Sequence, residues 1–206
     1  MTPEQLKQIV PGISDSLLQI YAPLLNAAFE KYGFNTRERI CCFIAQVAHE
    51  SGSFCYVREL ASGQAYEGRK DLGNAIPGDG VKFKGRGLIQ ITGRDNYRSC
   101  SLFLFGDDRL LKRPELLEIP ENALDSAIYY WTSHKLMDVC DMPDGLTHTW
   151  RGNEYSRFQW ITIKINGGLN GLTSRFFFYN KAKEVLTDDI IADEDIPAAK
   201  GLEGIE

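Results

Sequence analysis

Blocks of helical apolar period, parted by one long stretch that has none, restrict the fold of this chain more than any other feature. Leu17, Leu18, Tyr21, Leu25, Ala28, Phe29 and Tyr32 recur at helical spacing, and Gly33 ends the run. Pro23, inside it, is expected to kink or divide the helix. Ile40, Phe43, Ile44 and Val47 form a second apolar face behind the cap Asn35-Thr36, and this run stops at Gly52. At the N-terminus Thr2 caps, Pro3 takes the first helical position and Gln5 completes a capping box. Residues 120–136, 155–165 and 173–186 carry further helices, the last two separated by Asn166-Gly167-Gly168-Leu169-Asn170-Gly171. Residues 56–93 are rich in glycine, include Pro77 and lack an apolar period, which indicates loops and short irregular strands. A stretch of that length inside a compact chain is usually functional. The expectation is a mainly α fold with one domain over 1–186, a smaller helical lobe over about 99–152, and an acidic, flexible tail over 187–206.

The net charge of −5 conceals two opposite regions. Residues 187–206 hold seven acids against Lys200, which leaves residues 1–186 at +1. Residues 82–98 hold Lys82, Lys84, Arg86, Arg94 and Arg98 against Asp95, a basic strip suited to an anionic polymer. Its density falls short of a nucleic-acid interface and no nucleic-acid-binding motif accompanies it, so no nucleic-acid partner is expected. No run of about 18 apolar residues is present, so no membrane insertion is expected. The N-terminus lacks the basic and apolar regions of a secretory signal, so the chain is expected to stay in the cytoplasm unless something else releases it. Five cysteines at irregular spacing argue against a disulfide framework, and no Cys/His spacing suggests zinc. Cys41 and Cys42 are expected in the core.

Glu50 follows Val47 by three residues and Phe43 by seven, so it continues the buried stripe of its helix. It also lies in the last turn, where the helix dipole disfavours a negative charge. Desolvation and the dipole both favour the protonated acid, which is what a glycosidic leaving oxygen needs as a proton donor. The competing reading is an ordinary ion pair with an arginine at the helix end. His49-Glu50-Ser51-Gly52-Ser53 lacks the second histidine of a zinc-binding HExxH helix, so no metal is expected. A glycosidase needs a second carboxyl group across the scissile bond. Glu59 and Glu67 both compete for that role, and spacing does not choose between them.

Three ordered blocks then become informative together: His49-Glu50-Ser51-Gly52, Lys82-Phe83-Lys84-Gly85-Arg86-Gly87-Leu88-Ile89-Gln90-Ile91-Thr92-Gly93-Arg94-Asp95-Asn96-Tyr97, and Ile165-Asn166-Gly167-Gly168-Leu169-Asn170-Gly171. They resemble the signature blocks of glycoside hydrolase family 19, which holds plant-type chitinases and many bacteriophage endolysins. The resemblance spans roughly residues 36–186. It implies a lysozyme-like α-helical fold, two lobes around a loop-rich sugar-binding cleft, and an inverting, single-displacement mechanism. It implies Glu50 as general acid, Glu59 as base, and Thr92 as a holder of the attacking water. His49, Lys84, Gln90, Tyr97, Asn166 and Arg175 are the implied substrate-binding positions, with Arg175 also organising the acidic pair.

Lys84 stands where an aromatic residue is common in the plant pattern, and a lysine suits a substrate bearing carboxyl groups. The short length, the missing chitin-binding module, the absent signal and the run at 127–136 favour the endolysin branch, whose members leave the cytoplasm through a pore made by a separate protein. The expected activity is therefore hydrolysis of peptidoglycan between N-acetylmuramic acid and N-acetylglucosamine, by a monomer without cofactor. Chitin hydrolysis and a non-catalytic wall-binding module are the alternatives. Trp131, Trp150 and Trp160 are expected to serve packing more than sugar stacking.

Overall fold

The computed structural model describes residues 1–187. The flexible tail expected over 187–206 thus lies outside the described residues, apart from Thr187. Helix α1 (Pro3–Ile9) begins with the capping box between Thr2 and Gln5. Helix α2 (Asp15–Tyr32) is capped by Ser14 and closed by Gly33 in the left-handed conformation. Pro23 does not divide it. A proline inside a helix costs about 3 kcal/mol, and the burial of Leu18, Tyr21, Leu25 and Phe29 along the same helix outweighs that cost. Helix α3 (Arg37–Glu50) starts at the Thr36 cap and buries every residue from Cys41 to Ala48.

The glycine-rich stretch contains two short 3-10 turns (Gln64–Tyr66 and Lys70–Leu72) and the one-turn helix α4 (Asp79–Lys82). Its expected strands are present only as isolated bridges, Arg58 with Arg86 and Arg86 with Ile91. Beyond it come α5 (Arg94–Phe105), α6 (Arg109–Lys112), a 3-10 turn at Pro114–Glu118, α7 (Pro120–Ser133) and α8 (Leu136–Cys140). The region read as a helical lobe over 99–152 then departs from that reading. Strands β1 (Thr147–Trp150) and β2 (Asn153–Ser156) form an antiparallel hairpin with Trp150 opposite Asn153. Its turn holds Arg151 and Gly152 at φ 51° and 78°, the doubly left-handed geometry that matches strand twist. Helices α9 (Arg157–Asn166) and α10 (Leu172–Val185) complete the described chain. No helix among the described residues is long and apolar enough to cross a membrane.

The core is continuous across these elements. Trp131 of α7 is fully buried and meets Phe43 of α3 edge-on at 5.2 Å between ring centroids. Trp150 and Trp160 are only half-buried, where the hairpin rests on α9 and His148 stacks on Trp160 at 5.0 Å. Helix α10 packs along α3, which brings the start of one to the end of the other. That meeting point carries Glu50.

The basic strip of residues 82–98 does not form one outward surface. Arg86 is buried and donates to Glu118 at 2.8 Å, to the Lys82 carbonyl at 2.8 Å and to the Tyr97 hydroxyl at 3.0 Å. Arg94 grips Asp79 with two nitrogens, at 2.8 and 2.5 Å. These cations brace the loop from inside, because acids distant in sequence fold against them. Asp79 is buried, and the Arg94 guanidinium holds its carboxyl below the usual carboxylate range. Its stabilising contribution is therefore complete above the unfolded value, near pH 4, and is lost as pH falls through the lower folded value. Asp79→Asn should cost about 2 kcal/mol at pH 7. The gap from wild type in urea melts should narrow below about pH 4; a gap that stays constant between pH 7 and pH 3 would contradict the role given to this pair.

Candidate active site

Helix α3 delivers Glu50 to a sharp reversal of the chain. Gly52, Ser53 and Phe54 follow at φ 56°, 64° and 67°, a left-handed conformation that costs non-glycine residues roughly 1–3 kcal/mol each. Burial holds it in place: Phe54 is fully buried against Tyr21, and its N–H donates to Ser51 Oγ at 2.8 Å. The turn sends the chain back past the helix end towards Glu59.

Glu50 is about one-fifth exposed and paired through Oε1 with Arg175, a fully buried side chain of α10. Arg175 also donates to Gln46 Oε1 and to the Asn170 carbonyl. The ion pair and the buried stripe, weighed as rivals in sequence, are thus both present. Gln46 sits one turn before Glu50 and is wholly buried, with its amide donating to Thr162 at 2.9 Å. An amide inside an apolar stripe was the available signal for this residue, which sequence reasoning missed. His49 shares Nδ1 with Ser174 Oγ at 3.0 Å. Burial, then the nearby Arg175 charge, push the imidazole below its ordinary value, so it is neutral at neutral pH. A side chain at Gly171 would stand 2.3 Å from the His49 ring, and Gly171 has φ +72°, so only glycine lets α10 begin this close to α3.

Glu59 lies at the bridged edge of the loop, where its N–H donates to the Gly85 carbonyl at 2.9 Å. Its Oε2 accepts the Gly85 N–H at 3.0 Å and its Oε1 accepts the Tyr66 hydroxyl at 3.1 Å. A β-carbon on Gly85 would stand 2.6 Å from Gln90 Oε1 and 3.2 Å from Glu59 Oε2. The Glu59 and Gln90 side chains therefore converge over a glycine that leaves them room. Glu67, the competing acid, is occupied otherwise. It accepts the N–H groups of Gly78 and Gly80 at 2.6 and 2.8 Å and acts as a staple of its own loop.

Gln90 and Thr92 line a cavity of about 300 Å³ with Asn96, Tyr129, Tyr130, His134 and Ile165. Gln90 itself is held at φ 58°, with its amide donating to the Gly87 carbonyl at 2.9 Å. Thr92 donates to the Gln90 carbonyl at 2.9 Å, so its oxygen lone pairs remain to accept. Tyr130 donates to the Lys164 carbonyl at 2.9 Å and stacks on His134 at 3.8 Å. Burial, with the Glu50 charge second, pushes the Tyr130 phenol up to about 12. Gln90, which lines this cavity, also stands beside Glu59 over Gly85.

The other implied positions fall differently. Asn166 is exposed at the end of α9 and donates weakly to the Asn170 carbonyl at 3.4 Å. Lys84 donates to the Ala61 carbonyl at 2.8 Å. Tyr97 needs correcting as a substrate contact, because it has no exposed surface. Its hydroxyl donates to the Lys84 carbonyl at 2.6 Å and accepts from Arg86, so it supports the loop from beneath. Among the described residues, no group of three or more His, Cys, Asp or Glu side chains could hold a metal ion.

The fold is mainly helical and holds two carboxylates, Glu50 and Glu59, in fixed hydrogen-bonded positions. No family model matches the chain. It is 27% identical over 186 residues to a glycosyl hydrolase family 19 domain-containing protein of Haemophilus influenzae, covering 75% of this chain and 84% of that one. It is 34% identical over 143 residues to an endochitinase of Arabidopsis thaliana, covering 68% of this chain and 44% of that one. The chain thus spans less than half the length of this plant relative. Among solved structures, chitinase C of Streptomyces griseus shares the fold with a TM-score of 0.59 at 20% identity, over 89% of this chain and 91% of that one. A class IV family 19 chitinase of Zea mays does so at 0.54 and 23%, over 90% and 81%. The chain is thus similar in sequence to a glycosyl hydrolase family 19 domain protein and to plant endochitinases, and it shares its fold with family 19 chitinases.

Proposed function

We propose that this chain is an endolysin-type enzyme that cuts the β-1,4 bond between N-acetylmuramic acid and N-acetylglucosamine with inversion. One observation carries the hydrolytic reading: two carboxylates, Glu50 and Glu59, are each held by fixed donors, Arg175 on the first and Tyr66 with the Gly85 N–H on the second. Glu50, held at Oε1 by Arg175, gives its proton from the other oxygen to the departing glycosidic oxygen. Glu59 takes a proton from a water that the free lone pairs of Thr92 help to orient. That water attacks the anomeric carbon from the opposite face, leaving an inverted hemiacetal, and the two acids exchange protons with solvent to reset. No metal or organic cofactor enters these steps.

Lys84 supports the choice of peptidoglycan. It precedes Gly85, the residue bonded to Glu59, and its ammonium is met by a carbonyl that does not neutralise it. The lactyl and stem-peptide carboxylates of peptidoglycan would complement that charge. Lys84→Gln should raise KM on sacculi roughly fivefold, about 1 kcal/mol, and leave KM on N-acetylglucosamine oligomers unchanged. Equal effects on both would remove Lys84 from the argument. The chitin reading is favoured by the endochitinase names of the plant relatives. Turnover on purified sacculi against soluble chitin oligomers, with the released fragments read by mass spectrometry, separates the two. Activity confined to chitin would overturn the proposal, and a product lacking a reducing end would exclude hydrolysis. Such an enzyme would reach the wall through a pore supplied by another protein.

A further inference from the structure

We infer that Tyr66 is a positioning residue for Glu59: its hydroxyl and the Gly85 amide grip the two carboxylate oxygens and set the plane in which Glu59 meets the water. The inference rests on the reading of Glu59 as the base. The Tyr66 hydroxyl donates to Oε1 at 3.1 Å and the Gly85 N–H donates to Oε2 at 3.0 Å. A glutamate has three rotatable bonds, the last of them broad and nearly two-fold. Two donors from separate segments, one on each oxygen, stop that rotation before substrate arrives. A base aimed in advance reacts as part of one ordered assembly and does not have to find its orientation at each turnover.

Tyr66 is itself built into place by contacts that do not involve its hydroxyl. It ends the 3-10 turn Gln64–Tyr66, which opens at Gly63. Its carbonyl accepts the Asn74 amide at 2.8 Å, and Asn74, wholly buried, accepts the Arg94 N–H at 2.9 Å through its other end. The next residue, Glu67, clamps Gly78 and Gly80. The backbone is therefore secured on both sides, and among the described residues the hydroxyl makes one hydrogen bond, to Glu59. Burial, then the bond to Glu59, push the phenol above its ordinary value, so it stays a donor across the neutral range.

Tyr66→Phe removes the hydroxyl and keeps every clamp. On whichever of sacculi or chitin oligomers the wild type cuts, kcat should fall about tenfold with KM within about twofold and an unchanged melting temperature. Added to Glu59→Gln, the same change should alter the residual kcat by less than about twofold, because no carboxylate is left to aim. An unchanged kcat, a rise in KM alone, or an equal loss in the Glu59→Gln background would each overturn the inference. If Glu59→Gln turns over like the wild type, or the wild type cuts neither polymer, the base assignment fails first and Tyr66 falls with it. Should Tyr66→Phe melt early, replacing Tyr66 with a fluorinated tyrosine keeps the shape but lets the phenol ionise at lower pH. A decline of kcat on the alkaline side, absent from the wild type, is then expected, and its absence counts against the role.

Discussion

Glu50→Gln should lower kcat by about a thousandfold or more while substrate binding and melting temperature stay close to the wild type. Glutamine has the same shape, and its carbonyl oxygen can still accept the Arg175 guanidinium that holds Oε1. The buried arginine keeps an acceptor, so the junction of α3 and α10 is not left with a bare charge. What disappears is the transferable proton, and without it the departing sugar must leave as an alkoxide. Retention on insoluble sacculi with no release of fragments is the expected result. Activity within tenfold of the wild type would remove Glu50 as the general acid, and an unchanged lytic phenotype would support a wall-binding module without catalysis.

Arg175→Leu is expected to be the most damaging change to stability. Arg175 is 1% exposed and joins Glu50, Gln46 and the Asn170 carbonyl. Removing it strands a half-buried carboxylate and leaves the wholly buried Gln46 without its donor. Breaking a buried pair from one side costs about 3–5 kcal/mol, which for a chain of this size lowers the melting temperature by roughly 10 °C. Activity should fall as well, because the guanidinium fixes Oε1 and so decides which oxygen of Glu50 faces the sugar. Assays well below the variant's own melting temperature separate the two effects. Full activity at that temperature would leave Arg175 a purely structural residue, and an unchanged melting curve would contradict the burial argument.

The signals that were legible in the sequence act over a few residues. Thr2 with Gln5 and Thr36 cap the helices that their spacing announced, and Gly33 closes α2. The apolar stripe of α3 placed Glu50 at a buried helix end, because residues three and seven apart share one face whatever surrounds them. The β1–β2 hairpin escaped the reading although Thr147 to Ser156 alternates around an Arg-Gly turn. Four-residue strands offer too few alternations to stand out from helical neighbours.

The loop region shows where such reading ends. Glu59 and Glu67 are equivalent in spacing, and only the folded path separates them: Gly85 and Tyr66 close on one, Gly78 and Gly80 on the other. Two cations of the basic strip, Arg86 and Arg94, became internal braces when Glu118 and Asp79 folded against them. Tyr97 lies in a block that resembles a substrate site, yet it is packed beneath that block. By itself the sequence determined the helices, their caps and the buried face that ends at Glu50, since each depends on neighbours within a turn or two. Tertiary structure alone decided the partners of the charges and the donors that hold each carboxylate. The pairing of Glu50 with Arg175 spans 125 residues, and such pairings take their energy from desolvation and geometry that exist only once the chain has closed.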